Sequence, residues 1–211
     1  MIYGPEILNL CSNCNCIISR NEAISGNTFG AKFYSDGNQI GLGIDKTPSL
    51  IKCENCLSYL WIHKLQTLDL SNSKTYNNKS RKNYANFLSV EELQAAIKIG
   101  VADTNKEKIH IRKSLLLKQN NLFRICDCFE DRDAEKKWTE NIYKLIKLWP
   151  DNKNNNDKIF LAELYRNTEQ FEECISILNS IEDKELDWIK NQFILNCKEK
   201  NKYVFELKIK P

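Results

Sequence analysis

The chain has 211 residues, 42% hydrophobic and 28% charged, with a net charge of +3. That length suits one compact domain or two small ones. The small charge excludes a broad basic face of the kind general nucleic-acid binders carry, and no apolar stretch approaches the roughly 18 residues a membrane span needs.

The N-terminus, Met1 to Glu6, lacks a basic start followed by an apolar run, so no secretory signal is read there. A cytoplasmic location is expected. Nine cysteines are therefore read as reduced thiols, some of them metal ligands, and not as a disulfide scaffold.

Residues 1–10 lead as a strand into Cys11-Ser12-Asn13-Cys14. A second pair, Cys53-Glu54-Asn55-Cys56, has the same C-x-x-C spacing. Two such turns supply four soft ligands in a tetrahedron, which is how a structural zinc is held. Cys11, Cys14, Cys53 and Cys56 are the expected Zn2+ ligands. An all-sulfur sphere is closed, whereas a catalytic zinc keeps a position for water. Cys16 is read as a thiol beside the site, with its replacement of Cys14 as a ligand left open.

Ile17 and Ile18 are expected to pack on the metal module. Residues 28–34 are rich in β-formers, and Ser35-Asp36-Gly37-Asn38 reads as a hairpin turn. Residues 39–44 form the returning strand. Phe29 and Phe33 are expected to pack inward and Tyr34 to point out. Leu50 to Lys52 and Leu57 to Ile62 flank the second cysteine pair, with Tyr59 and Trp61 covering the metal. Gly41-Leu42-Gly43 lacks the third glycine and following helix of a phosphate loop.

Residues 71–86 are Asn-, Ser- and Lys-rich and read as linker. Over 63–88 there are five basic residues against one acidic. From residue 89 the apolar period becomes helical. Ser89…Glu92 and Thr104…Glu107 are capping boxes. The first helix runs to about Ala102 with Leu93, Ala96, Ile97 and Gly100 on one face. The second carries Ile109, Leu116, Phe123 and Ile125 and ends near Cys126 or Cys128, two incidental thiols. The third covers Ala134 to Leu148, stopped by Pro150, with Trp138, Ile142, Leu145 and Trp149 apolar. Helices over 157–166, 169–179 and 183–199 follow. Leu161, Ala162, Tyr165, Cys174, Leu178 and Ile181 fit the packing positions of one tetratricopeptide (TPR) unit. Cys174 and Cys197 are assigned to the core. His63 and His110 have no neighbouring nucleophile motif and are read as structural. Glu172, Glu173, Glu182 and Asp183 are read as solvated.

The fold class is thus α+β: a small N-terminal β zinc ribbon (1–70), a polar linker (71–88) and an α-helical TPR-like bundle (89–211). Ser25-Gly26-Asn27-Thr28-Phe29-Gly30-Ala31, Ser35-Asp36-Gly37, both cysteine pairs and the tail Ala162-Glu163-Leu164-Tyr165-Arg166…Phe171-Glu172-Glu173-Cys174 resemble a group of uncharacterised bacterial zinc-ribbon proteins with a C-terminal TPR-like helical region. The resemblance implies that architecture and no activity. The expected role is non-enzymatic, a protein-interaction or adaptor module whose partner is another protein. The alternative is a nucleic-acid-binding regulator using the hairpin aromatics and Lys74, Lys79, Arg81 and Lys82.

Overall fold

The computed structural model describes residues 2–41, 47–68, 83–150 and 154–208. It is an α+β structure of short sheets and six α-helices. Two compact units form, one from Met1–Ala31 with Gly41–Val101 and one from Lys32–Ile40 with Ala102–Pro211. Two segments lie elsewhere than the sequence placed them: the hairpin over 32–40 falls in the second unit, and the first helix falls in the first. No helix among the described residues is long and apolar enough to cross a membrane.

In chain order the strands of the N-terminal half are β1 (Ile2–Tyr3), β2 (Ile7–Leu10), β3 (Ile17–Arg20), β4 (Ala23–Ser25), β5 (Lys32–Tyr34), β6 (Gln39–Ile40), β7 (Leu50–Lys52), β8 (Tyr59–Trp61), β9 (Gln66–Thr67) and β10 (Asn83–Tyr84). All but β5 and β6 belong to the first unit. There, β2 and β3 pair antiparallel across the first cysteine turn, and β7 and β8 do the same across the second. The sheet order β10-β3-β2-β9 puts Asn83 opposite Ile18, in parallel register. So residues 83 and 84, at the edge of the expected linker, form a strand. Residues 71–82, including the four linker cations, lie outside the described residues, as do 42–44 of the expected returning strand.

Helix α1 (Val90–Ile99) starts at the expected capping box: Ser89 Oγ accepts from Glu92 N (3.2 Å), and Glu92 Oε2 accepts from Ser89 N (3.0 Å). It stops earlier than expected. Gly100 has φ +74°, the left-handed turn that ends helices, so it caps α1 and lies on no face. Leu93 and Ala96 are buried. Trp61 Nε1 donates to Val101 O (2.9 Å), which directs this indole toward the end of α1.

In the second unit, α2 (Asn105–Cys126) opens at the other expected capping box, Thr104 with Glu107. Its buried stripe is Ile111, Leu115, Leu116, Gln119, Asn120 and Phe123. Ile125 is 80% exposed. Two residues beyond Phe123 is about 200° around the helix, the opposite side. Helices α3 (Arg132–Leu148), α4 (Asn155–Asn167), α5 (Phe171–Asn179) and α6 (Asp187–Lys198) follow, and β11 (Glu206–Leu207) closes the sheet β11-β5-β6.

Helix α4 is enclosed on several sides. Phe160 and Leu164 join Leu116, Trp138, Ile142 and Leu145 in one apolar cluster. Ala162 joins Cys174, Leu178, Ile181, Phe193 and Cys197 in another. A third stripe, Glu163, Arg166 and Asn167, is polar and equally buried. Leu161, expected to pack with Ala162, lies against the first cluster instead.

Candidate metal centre

The two cysteine turns are built alike. In the first, Asn15 N donates to Cys11 O (2.9 Å) and Cys11 N to Cys16 O (3.0 Å); in the second, Leu57 N donates to Cys53 O (2.8 Å) and Cys53 N to Ser58 O (2.9 Å). Asn15 and Leu57, both just after the second cysteine, have φ +57° and +61°. This left-handed step curls each turn so that both sulfurs emerge on one side. It costs a leucine roughly 1 kcal/mol or more.

The turns also reach into one another. Asn13 Nδ2 donates to Ser58 Oγ (2.7 Å), and the Asn55 side chain hydrogen-bonds the Cys14 thiol. Each asparagine holds the third place of its own C-x-x-C.

Five sulfurs gather. Cys11 Sγ lies 3.7 Å from Cys56 Sγ, and Cys14 Sγ lies 3.7 Å from Cys53 Sγ. Cys16 Sγ lies 3.3 Å from Cys53 Sγ. Cys11, Cys14, Cys16 and Cys53 have their sulfurs within 4.8 Å of one another and could hold a metal ion. Zn–S bonds near 2.3 Å imply a tetrahedral edge of about 3.8 Å, so both cross-turn pairs are spaced as ligands of one ion would be.

The surroundings separate the thiols. Hydrogen bonds from the Asn55 side chain and the Cys16 backbone lower Cys14 to about 6. The Ser58 hydroxyl and backbone lower Cys56. Burial pushes Cys11 up to about 12. Burial, with Cys53 and Cys14 adding to it, raises Cys16 as well. Cys14 is thus set up as a thiolate near neutral pH and Cys56 is shifted toward one, whereas burial holds the proton on Cys11.

The apolar cover is Ile18, Ile51 and Leu60, with Ile62, Leu65 and Ala85 at the edge. Ile18 was expected there. Trp61 and Tyr59 were not confirmed in that role: Trp61 turns to Val101, and Tyr59 lies beneath Lys52 Nζ (5.8 Å). His63 packs against Trp61 (5.7 Å between ring centroids).

The other sequence candidates lie apart from this centre. Cys126 and Cys128 are exposed at the end of α2. Cys174 and Cys197 are a buried pair, 3.5 Å apart, in the helical core. Phe29, expected inside, is 91% exposed. Residues 28–31 form a turn, with Ala31 N donating to Thr28 O (3.0 Å) and Gly30 at φ +68°, so no strand carries Phe29 inward.

A second constellation, in the second unit, escaped sequence reading. Ser35, Asp36 and Asn38 of the hairpin turn are buried, with Gly37 exposed between them. Ser35 Oγ donates to Glu163 Oε1 (2.8 Å), whose two oxygens take the fork of Arg166 (Nε 3.0 Å, Nη2 2.7 Å). Arg166 also donates to the carbonyls of Asn201 and Tyr203 (2.9 Å to the latter). Asp36 accepts from Asn120 Nδ2 (2.8 Å) and from Arg124, and Asn120 Oδ1 accepts from Trp138 Nε1 (2.9 Å). Burial pushes the Glu163 carboxyl up, and the Arg166 guanidinium opposes it. Two anions and two cations, each engaged by hydrogen bonds, make this a balanced structural network.

No protein-family model, curated protein or solved structure matches this chain.

Proposed function

We propose that this is a non-enzymatic zinc-binding protein, with a ribbon-like structural zinc held by Cys11, Cys14, Cys53 and Cys56. The observation that carries the reading is the pair of like turns whose cross-turn sulfurs stand one tetrahedral edge apart, at 3.7 Å. Four thiolates fill the sphere and leave no vertex for a substrate, so the ion's contribution is to folding, on the order of 10 kcal/mol. The protein acts in the cytoplasm as an adaptor for another protein. Support for that role is analogy: α4 and α5 are an antiparallel helix pair with small residues, Ala162 and Cys174, buried in its core, as in a TPR-like unit.

A second reading, a nucleic-acid-binding regulator, draws on Phe29, an exposed aromatic of the kind on which a base stacks. Metal analysis of the native protein followed by pull-down with and without nuclease tests both. About one zinc per chain and a stoichiometric protein partner surviving nuclease support the adaptor. Nuclease-sensitive nucleic acid without such a partner supports the regulator. A chain purified without zinc overturns the structural-metal reading.

A further inference from the structure

We propose that oxidation by peroxide joins Cys16 to Cys53 in a disulfide and thereby opens the metal centre. The inference rests on the structural-zinc reading above and deepens it.

The centre holds one sulfur more than a tetrahedral ion uses. Cys16 and Ser58 occupy the same place in the two turns, and each closes its turn through its backbone carbonyl. Ser58 shows that the turn closes without a sulfur there. The Cys16 sulfur is nonetheless held in a defined position. It lies 3.3 Å from Cys53 Sγ, nearer than either cross-turn pair. The Asn83 side-chain amide, on β10, reaches both sulfurs, at 3.3 Å from Cys16 and 3.9 Å from Cys53. A separation of 3.3 Å is short for two ligands of one zinc, whose edge is about 3.8 Å. It suits reaction between the two sulfurs, which must close to about 2.05 Å for a bond. Cys16 is half-buried, as are Cys14 and Cys56, while Cys53 is fully buried, so within this pair a small oxidant meets Cys16 before Cys53.

The chemistry balances with hydrogen peroxide as oxidant. The Cys16 thiol sulfur attacks one peroxide oxygen, the O–O bond breaks, and Cys16 becomes a sulfenic acid as the departing hydroxide takes the thiol proton and leaves as water. The Cys53 sulfur then attacks Cys16 Sγ, the S–O bond breaks, and hydroxide leaves and takes a proton to become the second water. Two electrons pass from the two sulfurs to peroxide. The site is left with Cys11, Cys14 and Cys56 and loses its grip on the metal.

The test compares the zinc-loaded full chain with its Cys16→Ser variant, which makes the first turn resemble the second. Both are treated with hydrogen peroxide. Released zinc is followed with a chromogenic chelator, and cross-links are mapped by mass spectrometry without reduction. Equal initial zinc content, release on the order of tenfold slower in the variant, and a Cys16–Cys53 cross-link in the parent are expected. Equal release rates, a cross-link confined to other cysteines, or loss of zinc by the untreated variant would overturn the proposal. A parent chain that carries no zinc overturns the structural-metal reading instead. A metal-free parent also overturns the opening of the metal centre, and the cross-link map of that chain then decides only whether Cys16 and Cys53 join.

Discussion

The cysteine centre of the first unit and the Glu163–Arg166 network of the second both place polar groups where water is excluded, and they balance them differently. In the cluster around the five sulfurs, Ile18, Ile51 and Leu60 are the buried apolar residues among those described. That cover holds no charge, so thiolates gathered there without a cation repel. The network instead carries both signs of charge on the chain: Glu163 with Arg166 and Asp36 with Arg124, packed beside two apolar clusters. In the first unit, the cysteine centre could take its counter-charge from a metal ion. The second supplies its own counter-charges and uses them to fix which segments meet.

The largest test of that difference is Cys53→Ser. Zinc content should fall below a tenth of the parent's, and hydrogen exchange should show the first unit unfolded with the second still protected, because metal binding of this kind is worth about 10 kcal/mol. Full zinc occupancy in the variant would mean that the ligand set differs. Next is Glu163→Gln, which leaves the Arg166 cation buried without its carboxylate. The expected loss is about 3 kcal/mol or more in the urea unfolding of the second unit, with zinc content unchanged. The pair Glu163→Met with Arg166→Met should recover part of it, and a single-variant loss below about 1 kcal/mol would show that the network is not load-carrying in the folded state.

Smaller effects sharpen the contrast. Leu57 is exposed and held at φ +61°. Leu57→Gly should relieve that backbone and stabilise the zinc-loaded first unit by about 1 kcal/mol, read as a higher midpoint of thermal unfolding. A drop would mean the leucine packs usefully. The smallest effect belongs to Lys202, whose ammonium bridges Glu169 (2.8 Å) and Glu135 (3.0 Å). Lys202→Met should cost about 0.5 kcal/mol near neutral pH, since these carboxylates are well solvated. Lys202 and Tyr203 lower the Glu135 carboxyl, so this stabilisation is complete above its ordinary 4.5 and is lost as pH falls through the lowered value. Lys202 itself is raised, first by Glu169, so at the alkaline end the loss comes only as pH climbs past its ordinary 10.5. Parent and variant stability curves should therefore converge at both extremes.

What was legible in the sequence was local. Both capping boxes formed where Ser89…Glu92 and Thr104…Glu107 placed them, because each is settled within four residues. The turn at Ser35-Asp36-Gly37 was legible for the same reason: Gly37, at φ +75°, supplies the left-handed step. Its burial was not. Ser and Asp in a turn usually face water, and nothing near them points to Glu163 or Asn120, 128 and 84 residues away. Glu163 and Arg166 sit three apart on a helix, a spacing that reads as a surface ion pair. The metal centre was half legible. The two turns bring Cys11 beside Cys56 and Cys14 beside Cys53, but the four sulfurs within 4.8 Å of one another are those of Cys11, Cys14, Cys16 and Cys53, a set in which Cys16 stands where the spacing had placed Cys56. The asparagine shared by both turns was a signal left unused, and the approach of Cys16 to Cys53 depends on the parallel pairing of β10, which no local pattern encodes.

The hairpin of β5 and β6 has a consequence for the order in which the molecule can be made. Ser35 N donates to Phe205 O (3.0 Å) and Phe205 N to Ser35 Oγ (3.2 Å), a pairing across 170 residues. On a ribosome adding about 5–20 residues per second, Ser35 waits roughly ten to thirty seconds for that partner to be made. The first unit, whose last segment ends at Val101, has all its residues far earlier. Its cysteines can therefore come together while the turn that will later lock the helices is still a nascent loop without its partners.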